Sequence, residues 1–95
     1  RKVEVKVERK LQRKKGMLEI DLRGKTAEEA KEELEKFLDK AHLSGAHLVR
    51  IIHGIGTGVL KRVTEEVLES TPYVAFFREG NPNEGGAGVT IAQLE

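Results

Sequence analysis

Ninety-five residues suffice for one domain with a modest core. The chain has no cysteine, which excludes a disulfide framework and thiolate chemistry, and no apolar run approaches the ~18 residues of a membrane span. A formal net charge of +1 hides an asymmetry: residues 1–15 carry eight Lys or Arg against two Glu, net +6, whereas residues 16–95 carry nine against fourteen acids, net −5.

In chain order, Val3, Val5 and Val7 alternate with Lys2, Glu4, Lys6 and Glu8, a period of two that suits a short exposed strand or an extended arm. Lys10 to Lys15 reads as a linker, and Gly16 marks the start of the globular unit. Residues 1–15 are thus a basic arm or linker, and 16–95 the domain. The arm suggests a polyanionic partner: it should raise affinity without adding sequence specificity. A solvated linker is the alternative. The chain starts at Arg1, not Met, and is expected to continue a longer parent chain N-terminal to residue 1. Nothing resembles a signal peptide, so a cytoplasmic location is expected.

Met17 to Leu22 reads as the first strand, with Leu18, Ile20 and Leu22 on one face and Glu19, Asp21 and Arg23 on the other. Gly24 and Lys25 make a turn. Thr26 and Glu29 have capping-box spacing, and apolar positions 27, 30, 34, 37, 38 and 41 form one helical stripe. Ser44 and Gly45 end that helix. Leu48 to Ile52 is the second strand. Gly58 to Glu69 is the second helix, burying Leu60, Val63 and Val67, and Thr71-Pro72 stops it. Tyr73 to Phe77 is a third strand, 79–86 a flexible loop, and Gly88 to Leu94 a fourth strand. The order β-α-β-α-β-β predicts a two-layer α/β sandwich: a four-stranded mixed sheet, two helices on one face, and a last strand antiparallel to its neighbour.

The densest chemical signal is Ile51-Ile52-His53-Gly54-Ile55-Gly56-Thr57-Gly58, a strand running through alternate glycines into a helix N-terminus. Such a turn presents unpaired N–H groups and the positive end of the helix dipole to an anion. His53 at its lip can move a proton near neutral pH. It could instead be a structural histidine bonding a loop carbonyl. Asp21 lies near the C-terminal end of a strand, the edge where open α/β sheets bind ligands, or it caps the next turn through Gly24 or Lys25 N–H. Arg23 can grip a phosphate bidentately, or pair with Glu19 or Glu79. Gly54, Gly56, Thr57 and Gly58 are candidate phosphate contacts. Lys61 and Arg62 oppose the second helix's dipole, which makes sense if a phosphate arrives; the alternative is an ordinary exposed pair. Arg78 precedes the glycine-rich loop and could reach the same ligand. Gly85, Gly86 and Gly88 read as conformational, with Gly86 N–H a further possible phosphate contact. His42 and His47 read as structural or solvated. A metal finds little support, because no Asp/Glu/His cluster has ligand spacing. Asp21 with Glu19 could hold one Mg²⁺ or Mn²⁺. Base-stacking aromatics are few, so backbone and shape readout is expected.

Leu18-Glu19-Ile20-Asp21-Leu22-Arg23-Gly24, Glu29-Ala30, Ile52-His53-Gly54-Ile55-Gly56-Thr57-Gly58-Val59-Leu60-Lys61 and Gly85-Gly86-Ala87-Gly88-Val89-Thr90 together resemble the Smr (small MutS-related) domain. The likeness covers Leu18 to Leu94 and is strongest to the C-terminal domain of the second type of bacterial MutS protein. The resemblance implies a fold similar to the C-terminal domain of translation initiation factor three. It implies a nicking endonuclease of branched or nicked DNA, with RNA cleavage in some members. Whole proteins of this type are linked to suppression of recombination, DNA repair and ribosome rescue. Asp21-Leu22-Arg23-Gly24 and His53-Gly54-Ile55-Gly56 match the family's two motifs. Many relatives carry His where this chain has Arg23. The expected catalytic set is His53 as general base or acid, Asp21 orienting it or a metal-bound water, and Arg23, in place of the family's His, neutralising charge at phosphorus. The rival expectation is a non-catalytic nucleic-acid or ribosome-binding module of a ribosome-rescue ATPase.

Overall fold

The computed structural model describes residues 17–95; the basic arm, its alternating valines and Gly16 lie outside the described residues. The elements are β1 (Met17–Asp21), α1 (Ala27–Leu43), β2 (Leu48–Ile52), α2 (Val59–Ser70), β3 (Val74–Glu79) and β4 (Val89–Leu94). Each follows from a local signal. Thr26 accepts from Glu29 N–H while Glu29 reaches back to Thr26 N–H, closing the capping box that starts α1. Glycine follows its last turn, with Gly45 at φ +83°.

The sheet order is β1-β2-β4-β3, with β1 parallel to β2 and β4 antiparallel to both its neighbours. The expected mixed sheet is present. Its strand order departs from simple addition: β3 skips a position, and β4 folds back into the vacant slot. The short β3–β4 connection makes this possible, because an antiparallel return needs no helical crossover.

Both helices pack against each other and onto one sheet face. The core between the layers holds Leu22, Leu34, Leu38, Val49, Ile51, Leu68, Val74, Ala92 and Leu94, each at most 1% exposed. Burying such a side chain is worth roughly 1.5–3 kcal/mol, so this layer dominates the fold's stability. In α1, Ala30, Leu34, Leu38 and Ala41 are buried and Phe37 is partly so; Ala27, assigned to the stripe, is exposed. In α2 the stripe is rotated from expectation. Thr64, Val67 and Leu68 are fully inside, while Leu60 and Val63 are half-buried. A threonine can occupy that core position because its hydroxyl donates to Leu60 O at 2.8 Å.

The opposite sheet face is only partly open. Glu19, Arg50, Ile91 and Arg78 form one cross-strand row on it. The 80–88 connection folds over this row as two single 3₁₀ turns, Pro82–Glu84 and Gly86–Gly88, and is not a featureless loop. Glu84 ties it down: its carboxylate accepts both Arg78 guanidinium nitrogens at 2.7 and 3.1 Å, and its carbonyl accepts Arg50 Nε at 3.0 Å. The fit is tight enough that a Cβ on Gly85, already at φ +113°, would collide with Val89 Cγ2. Ile91 and Val89, outside the main core, are each 3% exposed beneath it.

Candidate nucleic-acid cleft

Strands β1 and β2 run in parallel, so their C-terminal ends open on the same sheet edge. Leu22 N–H extends the pairing by donating to Ile52 O at 2.8 Å, and its side chain is locked in the core. Beyond it the chain turns around Asp21. The Asp21 carboxylate accepts from Arg23 backbone N–H at 3.0 Å, Nε at 2.9 Å and Nη2 at 2.7 Å. Asp21 therefore caps its turn through Arg23, where Gly24 or Lys25 was expected. Glu19 and Glu79, the partners expected for Arg23, lie elsewhere: Glu19 pairs with Arg50 at 2.6 Å and Glu79 with Lys61 at 3.3 Å. The Arg23 guanidinium and N–H beside Asp21 hold its carboxyl down to about 2. Arg23 is left with three of its five N–H donors, on a side chain fixed in plane.

Just past the end of β2, His53 and Gly54 N–H both donate to Gly88 O, at 3.0 and 2.9 Å. His53 is only 4% exposed. Its Nδ1 lies 2.9 Å from Gly54 O and its Nε2 2.8 Å from Thr90 Oγ1. A carbonyl can only accept, so Nδ1 carries the proton; in the neutral ring Nε2 then accepts from the Thr90 hydroxyl. The histidine thus satisfies the structural alternative while still lining the cleft. The Asp21 carboxylate is taken by Arg23, and Thr90 orients the His53 ring.

The two motifs meet at Gly54. Its φ is +80°, and a Cβ there would lie 3.2 Å from Arg23 Cγ. Absence of a side chain lets the arginine stem rest on the turn. Thereafter α2 begins with Gly58 as N-cap, which has no side chain to cap with; Thr57 Oγ1 reaches Val59 N–H only at 3.4 Å. The first turn of α2 holds no acid. The first-turn N–H groups have no acceptor within the helix, and Val59 and Leu60 line the cleft, an arrangement that suits an anion. The cleft measures about 570 Å³ and joins Arg23 to Ala27 with His53 to Leu60.

Other candidates fall outside it. Lys61 is held by Glu79, and Arg62 is exposed, but neither lines the cleft. Arg78 is committed to Glu84 on the other sheet face, and Gly86 sits in the strap there, its N–H donating to Asn81 O at 3.0 Å. His42 stacks on Tyr73 with ring centroids 4.0 Å apart, and Tyr73 donates to Asp39, a structural role as expected. For a metal, Asp21 and Glu19 are each engaged by arginine, and no group of three His, Asp or Glu among the described residues could hold an ion. A divalent cation at Asp21 would have to displace the Arg23 guanidinium, which takes both carboxylate oxygens, whereas Glu19 gives only Oε1 to Arg50.

Thr90 and Gly88 were missed as site residues. The Gly88-Val89-Thr90 stretch was legible as a motif. Only the antiparallel register, Ile51 opposite Thr90, brings it beside His53.

Residues 20–95 match the family described as the Smr domain. The chain belongs to this family. It is 51% identical over 77 residues to endonuclease MutS2 of Clostridioides difficile and 47% over 76 residues to that of Aquifex aeolicus, covering 81% and 80% of this chain. The chain spans about a tenth of the length of either relative, 10% in both cases. The crystal structure of the Smr domain of Thermus thermophilus MutS2 superposes with a TM-score of 0.78 at 40% identity, covering 81% of this chain and 96% of that one. YdaL, a stand-alone small MutS-related protein from Escherichia coli, shares the fold, with a TM-score of 0.78 at 23% identity over 81% of this chain and 63% of that one. Among the described residues of this Smr domain, no helix is long and apolar enough to cross a membrane.

Proposed function

We propose that this Smr domain grips the phosphate backbone of structured or branched DNA, or of RNA, in the cleft and nicks it. The observation that carries this reading is the convergence of both motifs on one cavity, with the Arg23 stem against Gly54 beside the uncapped N-terminus of α2. The phosphodiester oxygens would accept the open N–H groups of α2. Arg23, held by Asp21, would present its free N–H groups to the charge that develops at phosphorus. His53 would exchange the proton, releasing Gly54 O to do so. The acidic surface of α1, with Glu28, Glu29, Glu32, Glu33 and Glu35 exposed, would turn away from the polyanion. In a longer parent chain such an activity would serve recombination suppression or repair.

A second reading is recognition without cleavage, as in a ribosome-rescue protein. The burial of His53 with both ring nitrogens engaged favours it. Nicking of supercoiled plasmid separates the two, run with EDTA and Mn²⁺ arms and a structured RNA in parallel. Conversion to open circles that His53→Ala largely abolishes supports the enzyme. Retained binding with no nicking in any arm supports the recognition module.

A further inference from the structure

The cleft has two walls of different chemistry. Arg23 and Lys25 stand on one side. On the other, Ile55 is 71% exposed and Val59 43% exposed, both on the turn and first helical residue that border the anion site. These are two of four large apolar side chains exposed among the described residues, and the remaining two, Leu18 and Leu43, lie away from the cleft. Neither side chain belongs to the core. The glycines on each side of Ile55 shape the turn, so its own side chain is not needed for that. No Phe or Tyr among the described residues lines the cleft: Phe37 and Phe77 pack on the core, and Tyr73 binds Asp39.

We propose that Ile55 and Val59 form an apolar lip that receives an unstacked nucleobase of the nucleotide whose phosphate lies on α2. The inference rests on the phosphate reading above. A ligand that fits both walls must join an anion to a flat apolar group, as a nucleotide does. A base inside an intact duplex is stacked on its neighbours and cannot reach the lip. An unpaired base can, and aliphatic side chains commonly engage bases that have left the stack. The lip thus gives the cleft a preference for local helix defects, which the phosphate contacts alone cannot supply.

The test compares three duplexes of equal length: intact, with one bulged nucleotide, and with the same bulge made abasic. Binding is read by fluorescence anisotropy. The unaltered chain should bind the bulged duplex roughly three- to tenfold more tightly than the intact one, from the apolar area covered. The abasic bulge should lose that preference. The double substitution Ile55→Ser and Val59→Ser, with folding checked by circular dichroism, should bring the ratio to about one. Arg23→Ala should weaken all three complexes and keep the ratio. A preference that survives the double substitution, or persists with the abasic bulge, overturns the lip. Equal affinity of the unaltered chain for all three duplexes also overturns it and leaves the phosphate reading intact. Binding to none of them overturns both.

Discussion

The two strand-to-helix turns of this domain share one sheet edge and one cleft, yet they treat their helix ends in opposite ways. The β1–α1 turn satisfies itself. Asp21 closes it onto Arg23, Thr26 and Glu29 cap each other, and Glu28 and Glu29 complement the dipole. The β2–α2 turn leaves its helix end bare: a glycine N-cap, no acid in the first turn, and Lys61 and Arg62 set against the dipole. A helix can gain about 0.5–2 kcal/mol from a good N-cap. Forgoing it in one turn while using it in the other, on the same cleft, is what the proposed function requires: an external anion would complete the second cap. In that reading the first turn, closed by Asp21, would hold Arg23 toward it.

The largest test of this contrast is chemical. If the bare turn is catalytic, His53→Ala should lower the nicking rate by ~10²–10⁴, the usual worth of a general acid–base residue, with the circular dichroism spectrum retained. Nicking at the unaltered rate, in a preparation free of contaminating nuclease, would remove His53 from the chemistry. Next in size is the backbone of that turn. Gly54→Ala forces a side chain into positive φ and against the Arg23 stem, and should cost about 1–2 kcal/mol in urea unfolding. The self-capped turn should answer to its own cap. Thr26→Ala breaks the capping box and should destabilise by about 1 kcal/mol, read from the urea midpoint.

A smaller and more pointed experiment makes the bare turn resemble the other. Val59→Glu puts a carboxylate at the first helical position of α2, where the dipole favours it by about 0.3–1 kcal/mol. Stability should rise or hold while nucleic-acid affinity falls. A fall in stability would show that the bare end costs the fold nothing, and unchanged affinity would show that it binds no anion. The smallest effect concerns pH. Asp21 has its carboxyl depressed from 3.8 to about 2, so its clasp on Arg23 favours the folded state above the unfolded value. That contribution is lost as pH falls from about 4 to about 2. A carboxyl ¹³C titration of Asp21 should show its midpoint near the lower end of that window. A midpoint at 3.8 or above would mean the clasp is open in solution.

Much of the arrangement was legible because it is local. The capping box, the alternating strands and the glycine turn all rest on spacings of two to four residues, and the four strands and two helices appear in the expected order, with β3 running to Glu79 and two 3₁₀ turns in the segment expected to be a loop. The resemblance carried by the two motifs added the fold. The departures lie where a charged side chain has several possible partners and only the folded geometry selects one. Arg78 looked available beside a glycine-rich loop, yet Glu84 claims it across a strap that folds onto the far sheet face. Asp21 looked like a partner for His53, yet an arginine two residues away takes its oxygens first.

The sequence by itself determined the element order, the paired and bare helix ends, and the placing of Arg23 and His53 just beyond strands that finish at one edge. Tertiary structure alone decided that β4 enters between β2 and β3, so that Thr90 and Gly88 reach His53. The physical reason is the pleat. Side chains alternate faces with every residue of a strand, so which of β4's groups meet the histidine depends on a long-range register that no local pattern encodes.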